Sequence, residues 1–121
     1  MDELLEVMKA LSDGSRLRTL MALRSGELCA CQLTELLGLA PSTVSRHMAV
    51  LRHAGLVTSR REGRWIHYGL VQDSRSPCVE ALLKTVFEQL SKDAALSDER
   101  IRIEAIRMSM TCGPDGDCGS C

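Results

Sequence analysis

The sequence predicts a mainly α-helical fold that contains one small β-hairpin. Three observations lead to this prediction. Apolar residues recur every three or four positions through most of the chain, the period changes to alternation only near residues 57–71, and glycines separate the helical stretches. The chain has 121 residues, of which 45% are hydrophobic. That length and that hydrophobic share are sufficient for one domain with its own core.

Two helices are expected at the start of the chain. The first has apolar residues at helical spacing: Leu4, Val7, Met8 and Leu11. Residues 12–15 interrupt the pattern and supply capping side chains for a second helix. The apolar face of that second helix is formed by Leu17, Leu20 and Met21. We expect Gly26 to cap its C-terminus.

The next two helices are short and close together. A third helix is expected from about Ala30 to Leu37, with Gly38 ending it. After the turn at residues 38–40, a fourth helix begins at Pro41 or Ser42, since proline is tolerated in the first turn of a helix. Its inner stripe is Val44, Met48 and Leu51. Gly55 marks its end.

A hairpin follows the fourth helix. Two short strands, Val57–Arg61 and Arg64–Val71, flank a turn at residues 62–63. Helical spacing returns from Cys78 to Leu90, and a last helix is expected from Ser97 or Asp98 to about Met110. Two short helices joined by a three-residue turn and followed by a hairpin form a winged helix-turn-helix.

The end of the chain differs from the rest. Residues 111–121 contain four glycines or prolines and show no apolar periodicity. We therefore expect residues 1–110 to form a winged helix-turn-helix domain for DNA binding and dimerisation, and residues 111–121 to form a flexible cysteine-rich tail. No apolar run is long enough to cross a bilayer, and the acidic start is unlike a signal peptide, so a cytoplasmic location is expected.

The charge is unevenly distributed. The whole chain has a net charge of −1, yet residues 42–67 contain five arginines and a single glutamate, which leaves −5 for the remainder. Because this basic segment coincides with the fourth helix and the hairpin, it predicts contacts with the phosphates and base edges of DNA. The alternative is a merely solvated surface. The candidate DNA-binding residues are Ser42, Thr43, Ser45, Arg46, His47, Arg60, Arg61 and Arg64.

Several motifs resemble the ArsR/SmtB repressors. They are ALSDGSRLR at residues 10–18, ELCACQL at 27–33, STVSRHMAVLRHAGL at 42–56 and GRWIHY at 63–68. Their order and spacing match that family over roughly residues 3–95. The resemblance implies a homodimeric winged-helix repressor that binds double-stranded operator DNA until a metal ion or another inducer releases it. It implies no enzymatic activity.

A dimer is also expected because one reading helix offers few base contacts, while a two-fold pair reads two half-sites. The resemblance places the terminal helices at the dimer interface, with Leu4, Val7, Met8 and the stripe from Val79 to Leu90 as its apolar residues. The competing interpretation is that both helices complete the core of one subunit. Cys78, near a helix start, is interpreted as a packed interface residue.

Cys29 and Cys31 are the most specific inducer-binding candidates. The resemblance to arsenic- and cadmium/lead-responsive members places the inducer on these thiolates, and soft sulfur ligands favour As(III) or Sb(III), with Cd(II) or Pb(II) as the variant. On a regular helix, residues two apart project about 200° from each other. We therefore expect that an ion bound to both would unwind or tilt the helix start and release DNA.

One ligand is missing from the arsenic pattern. The family's third cysteine would stand at Thr34, so a trigonal As(III) site lacks one thiolate. Cys112, Cys118 and Cys121 are candidates to complete the site from the same or the partner subunit, or to form a separate one. Redox chemistry or no role for the tail remain alternatives. The family's interfacial zinc site is not expected, because no histidine occurs between Val79 and Leu90.

Two rival functions remain at this point. The first is a repressor of the same fold in which the cysteines respond to oxidants or reactive sulfur. The second is a small thiol oxidoreductase built on Cys118-Gly-Ser-Cys121, which is disfavoured because no βαβ pattern surrounds that motif. The sequence therefore predicts a repressor and not an enzyme.

Overall fold

The computed structural model describes residues 1–72 and 76–110. In this part of the chain the helices are α1 (Asp2–Leu11), α2 (Gly14–Leu23), α3 (Ala30–Leu37), α4 (Pro41–His53), α5 (Pro77–Leu90) and α6 (Ala94–Ser109). The strands are β1 (Leu28–Cys29), β2 (Val57–Glu62) and β3 (Trp65–Leu70). The mainly helical fold with a small hairpin is confirmed, although the last eleven residues, predicted as a tail, lie outside the described range.

Local capping explains where the helices begin and end. Asp13 accepts a hydrogen bond from the Arg16 backbone N–H at 3.1 Å and caps α2. Gly38 ends α3 in the left-handed conformation, with φ of 66°. The Asp93 side chain caps α6, which is why this helix begins at Ala94, earlier than the expected Ser97 or Asp98.

The prediction for the end of α2 is wrong. This helix ends at Leu23 with Arg24 as its C-cap, and Gly26 lies in the following loop. The φ of Gly26 is 131°, outside the left-handed helical region that a C-cap glycine adopts. The loop therefore uses this glycine for a sharp change of direction into β1.

The sheet has three antiparallel strands in the order β1-β3-β2. The hairpin of β2 and β3 is the predicted one, and Gly63 has the positive φ of 63° that its two-residue turn requires. The sequence prediction missed β1, because a two-residue strand shows no alternation. Its register pairs Leu28 with Tyr68 and Cys29 with His67.

The core lies between the helices and the inner face of the sheet. It includes the predicted inner stripe of α4, and Val7 of α1 is also fully buried in it. On the opposite side of α1, Leu4, Leu5 and Met8 are 44–52% exposed. In α5, Val79 and Leu83 are buried. Both predicted roles therefore apply to α1, because one face of this helix completes the core and the other is available for an interface.

Three arginine side chains attach α6 to α2, to α3 and to the loop before β1. The bonds are Arg18 Nε to Glu99 Oε1 (2.8 Å), Arg102 Nη2 to the Glu35 carbonyl (3.0 Å), and Arg107 Nη1 and Nη2 to the Ser25 and Gly26 carbonyls (2.7 and 2.8 Å). These bonds fix the direction in which α6 leaves the domain. Within residues 1–72 and 76–110, no helix is both long enough and apolar enough to cross a membrane.

Candidate functional site

The outer face of α4 carries the residues predicted to read DNA. Ser42, Ser45 and Arg46 are exposed, while Val44 and Met48 point into the core. Pro41 occupies the first turn, where its missing N–H is not needed. The helix therefore presents two hydroxyls and one guanidinium in its N-terminal half, the part that a recognition helix brings to base edges.

Thr43 and His47 are less accessible than predicted for direct contacts, since both are half-buried. The Nδ1 atom of His47 lies 3.0 Å from Nη1 of Arg16. Because guanidinium can only donate, His47 Nδ1 acts as the acceptor, which leaves Nε2 to carry the proton of the neutral ring. Arg16 also donates to the Ala10 carbonyl at 2.8 Å and so joins α4 to the end of α1.

The arginines of the hairpin fall into two environments. Arg61 and Arg64 are exposed near the tip, and the guanidinium of Arg64 lies 5.0 Å from the centre of the Trp65 ring. Arg60 instead donates to Glu27 at 2.9 and 3.1 Å and to Glu62 at 3.1 Å. These hydrogen bonds from Arg60 hold the pKa of the Glu27 carboxyl below its usual value. The charge of Arg60 is therefore already compensated within the protein.

Cys29 and Cys31 form a thiol pair at the start of α3. Their Sγ atoms are 2.8 Å apart, and the residues are 0% and 3% exposed. The expectation that the helix must unwind for both sulfurs to face one ion is wrong. Cys29 precedes the helix in extended conformation (φ −86°, ψ 165°), and only Cys31 lies within it, so the two side chains already converge.

Two side chains from distant parts of the chain cover the thiol pair. Trp65, the first residue of β3, packs against it from the hairpin, and Met110 packs against it from the end of α6. Gln32 stabilises this arrangement with two hydrogen bonds. Its Oε1 accepts from the Cys29 backbone N–H at 2.8 Å, and its Nε2 donates to the Met110 carbonyl at 2.5 Å. The thiol pocket, as we name Cys29, Cys31, Trp65 and Met110, is thus a closed apolar site.

The thiol pocket is connected directly to the hairpin that carries the arginines. Cys29 is the cross-strand partner of His67, which in turn pairs with Arg60 across β2. His67 is 8% exposed, and its Nε2 lies 3.6 Å from Glu62 Oε2. Backbone pairing therefore links Cys29 directly to both strands of the hairpin.

The donor set suits a soft ion but is incomplete within the described part of the chain. Two thiol sulfurs under apolar cover are ligands for As(III), Sb(III), Cd(II) or Pb(II) and not for Mg²⁺ or Ca²⁺. Residues 1–72 and 76–110 contain no group of three or more Cys, His, Asp or Glu side chains placed to hold a metal ion. Cys112, Cys118 and Cys121 lie outside these residues. Cys78 is half-exposed on α5.

Comparison with known proteins decides the family. A family described as "Bacterial regulatory protein, arsR family" matches residues 13–59. "Arsenic resistance transcriptional regulator ArsR1" of Pseudomonas putida is 45% identical over 93 residues, which cover 73% of this chain and 72% of that protein. The chain belongs to the ArsR family. A second ArsR-family relative, the "Arsenical resistance operon repressor" of Escherichia coli, is 34% identical over 84% of this chain and 80% of its own length.

A solved structure supports the same assignment for the fold. The "homodimeric winged helix-turn-helix DNA-binding domain" Mb0332 of Mycobacterium bovis superposes with a TM-score of 0.61 and is 28% identical, covering 80% of this chain and 84% of that one. The predicted winged helix-turn-helix is confirmed. As an ArsR-family member, the chain is a DNA-binding transcriptional regulator and not an enzyme.

Sequence reasoning missed the residues that enclose the thiol pocket. Trp65 lies 36 positions after Cys29, and Met110 lies 79 positions after Cys31. No local pattern joins positions so far apart. Gln32 did carry a signal, because a Gln three residues after an N-cap residue is typical of a capping box. The pairing of Arg60 with Glu27 also had no local signal, since Glu27 lies before α3.

Proposed function

We propose that this ArsR-family regulator is a homodimeric repressor that leaves its operator when As(III) or Sb(III) binds the thiolates of Cys29 and Cys31. The observation that carries the proposal is the convergence of the two sulfurs, 2.8 Å apart, in a closed pocket beside the hairpin. Support also comes from the arsenic-resistance names of two relatives. The tail cysteines Cys112, Cys118 and Cys121 are the further ligands. The repressor acts in the cytoplasm.

The DNA interface consists of the exposed residues of α4 and of the hairpin. Ser42, Ser45 and Arg46 enter the major groove, and Arg61 and Arg64 grip the adjacent backbone. Thr43 and His47 support this face from their half-buried positions, and Arg60 joins it when its carboxylate partners release it. Two copies of α4 in a dimer read two half-sites, with the exposed apolar face of α1 contributing to the dimer interface.

Release follows from the position of the thiol pocket. An inducer that binds both sulfurs must displace the Trp65 or Met110 side chain that covers them, so it favours one conformation of the pocket and of the adjoining strands over another. Because β1 pairs with β3, that change moves the hairpin relative to α4. The DNA-binding geometry and the inducer-binding geometry are then coupled, as allosteric release requires.

The test is a titration of a fluorescent operator complex with arsenite, antimonite, cadmium, lead and zinc, followed by anisotropy. We expect arsenite or antimonite to release the full-length protein from the operator. The Cys29→Ser/Cys31→Ser variant should bind the operator as the parent does but need at least ~100-fold more arsenite, since it has lost two of its ligands. The matched control is Cys78→Ser, which should respond like the parent.

Two outcomes would contradict the proposal. A double variant that still responds to arsenite at the parent concentration removes the thiol pocket from the mechanism. If the parent protein responds only to cadmium or lead, the thiol pocket remains the binding site, but As(III) and Sb(III) are not the inducers.

A second candidate is a thiol-redox repressor of the same fold. It is favoured by the convergence of both sulfurs, which removes the argument that a helix keeps the two cysteines apart. Oxidation would take two electrons and two protons from the pair and pass them to the oxidant. Release by diamide in metal-free buffer, together with no response to arsenite, would favour this candidate over the first.

A further inference from the structure

We infer that Arg16 of α2 is a positioning residue for DNA binding, which holds the His47 ring so that its Nε2–H donates to a phosphate of the operator. This inference rests on the proposed DNA interface, because His47 belongs to α4. It goes beyond that interface by giving His47 one defined contact and by assigning a role to a side chain outside α4 and the hairpin.

The guanidinium of Arg16 is fixed at the end of α1. Its Nε donates to the Ala10 carbonyl at 2.8 Å, and its Nη2 donates to the Lys9 carbonyl at 3.1 Å. Both carbonyls belong to the last turn of α1, where helical carbonyls run out of intrahelical donors. The Arg16 backbone N–H is also held, by the Asp13 carboxylate that caps α2. Because the guanidinium is planar, these bonds determine the direction in which Nη1 points.

The remaining nitrogen of the guanidinium, Nη1, holds the imidazole of His47. It lies 3.0 Å from Nδ1 of that ring. A guanidinium has donors only, so Nδ1 must supply a lone pair and cannot carry the proton of the neutral ring. The hydrogen bond at one ring nitrogen thus sets the protonation of the other. Arg16 therefore selects one of the two neutral tautomers and also fixes the orientation of the ring.

The Nε2–H of His47 is available for a ligand. His47 is half-buried, and within residues 1–72 and 76–110 its Nε2 has no hydrogen-bond partner and is not among the polar atoms that are buried without one. The atom therefore reaches the surface. The two preceding residues of α4, Ser45 and Arg46, are exposed, so this surface adjoins the face that is proposed to read DNA.

A phosphate oxygen is the acceptor that fits this donor. A protonated Nε2 has no lone pair to offer, so it pairs only with an acceptor. Phosphate oxygens provide acceptors along the whole DNA backbone, and neutral side chains commonly donate to them. Such a contact fixes the position of α4 on the backbone without reading a base. It also connects the end of α1, through Arg16, to the position that α4 takes on DNA.

Nuclear magnetic resonance of the full-length parent, with ¹⁵N-labelled histidines, tests the contact without any substitution. In mildly alkaline buffer, where a histidine ring is neutral, His47 should be protonated at Nε2 alone. Its Nε2 proton should exchange more slowly with water in the operator complex than in the free protein. A ring that is protonated at Nδ1, or an Nε2 proton that the operator does not protect, would overturn the inference.

A double-mutant cycle separates positioning through His47 from a merely structural role of Arg16. His47→Ala should weaken operator binding roughly 5- to 10-fold, because one hydrogen bond to DNA is lost. Arg16→Met should weaken it by a similar or smaller factor, and its neutral His47 ring should populate both tautomers. In the His47→Ala background, Arg16→Met should have no further effect. An undiminished effect there would show that Arg16 acts on its own and would overturn the inference.

Two further variants control for folding and for charge. His47→Gln keeps an N–H donor on a neutral side chain and should retain most of the operator affinity, so a loss as large as in His47→Ala would count against the inference. Arg18→Met is the matched control for Arg16→Met, because Arg18 is an arginine of α2 whose hydrogen bonds go to α3 and α6. It should change neither the operator affinity of the folded protein nor the tautomer of His47. An equal loss in Arg18→Met would also overturn the inference.

Arg46→Ala separates this inference from the proposed DNA interface. If Arg16→Met and His47→Ala bind the operator like the parent while Arg46→Ala binds it more weakly, the inference fails and the proposed interface stands. If Arg46→Ala also binds like the parent, the proposed interface itself fails.

Discussion

The DNA-reading face and the thiol pocket are built in different ways. The DNA-reading face consists of consecutive turns of α4 and the adjacent hairpin, and its exposed polar residues occur within one segment of sequence. The thiol pocket is assembled from the start of α3, the first residue of β3 and the end of α6. A local face is exposed and ready to bind, whereas an assembled pocket is closed and binds only when its parts move.

That difference explains how one small domain performs two tasks. Contacts with phosphates and base edges need exposed donors on a rigid helix. The outer face of α4 provides these donors, and the buried stripe on its other side fixes the helix against the core. Sensing needs a site whose ligand changes the arrangement of several elements. The thiol pocket satisfies this because β1, β3 and α6 all meet at Cys29 and Cys31. The comparison predicts that the two regions respond to different substitutions.

The largest effect is expected at Arg46, the exposed guanidinium of the DNA-reading face. Arg46→Ala should weaken operator binding by about 1–3 kcal/mol, because a bidentate contact with guanine or phosphate is lost. Anisotropy at fixed salt measures this. Arsenite binding, followed by Trp65 emission, should stay at the parent value. Arg100→Ala, at an exposed arginine of α6, is the control, and an equal loss there would show that only net charge matters.

An intermediate effect is expected at Arg107, which fastens α6 beside the thiol pocket. Arg107→Lys should lower the free energy of unfolding by about 1–2 kcal/mol, since a single ammonium does not reproduce the two bonds to the Ser25 and Gly26 carbonyls. Urea denaturation measures the loss. Arsenite affinity should fall as well, while the operator affinity of the folded protein stays unchanged. A variant as stable as Arg100→Lys would contradict this role for Arg107.

The smallest effect is expected at Glu27, which connects the two regions through Arg60. Its lowered pKa keeps the carboxylate ionised at neutral pH, so the ion pair with Arg60 is available in the DNA-free protein at that pH. Glu27→Gln should release Arg60 and strengthen operator binding a few-fold, and the slope of log affinity against log salt should steepen by up to about 0.9. An unchanged slope would show that Arg60 remains withdrawn from DNA. Asp2→Asn is the control for net charge.

The two regions also differ in how well the sequence predicted them. The exposed and buried faces of α4 follow from apolar residues that recur every three or four positions. Val44, Met48 and Leu51 are buried as this spacing predicts. For the thiol pocket, the sequence predicted the two cysteines but assumed that a helix separates their side chains. The short strand β1 changes that geometry, and no pattern within two residues could reveal it.

Long-range contacts account for the other differences. Arg60 was predicted to contact DNA from its position beside the hairpin turn, yet Glu27, 33 residues earlier, holds it on the outer face of the sheet. The end of α6 is placed by arginine bonds to carbonyls more than sixty residues away. Such contacts depend on tertiary packing, which local propensity does not contain.

The most direct test of the account follows Trp65 emission and operator anisotropy in one arsenite titration. Trp65 is the single tryptophan of the chain and packs against Cys29 and Cys31, so its emission reports occupation of the thiol pocket. Both signals should change with the same midpoint in the parent, and neither should change in Cys29→Ser/Cys31→Ser over that range. Release of DNA while Trp65 emission stays constant would contradict this expectation.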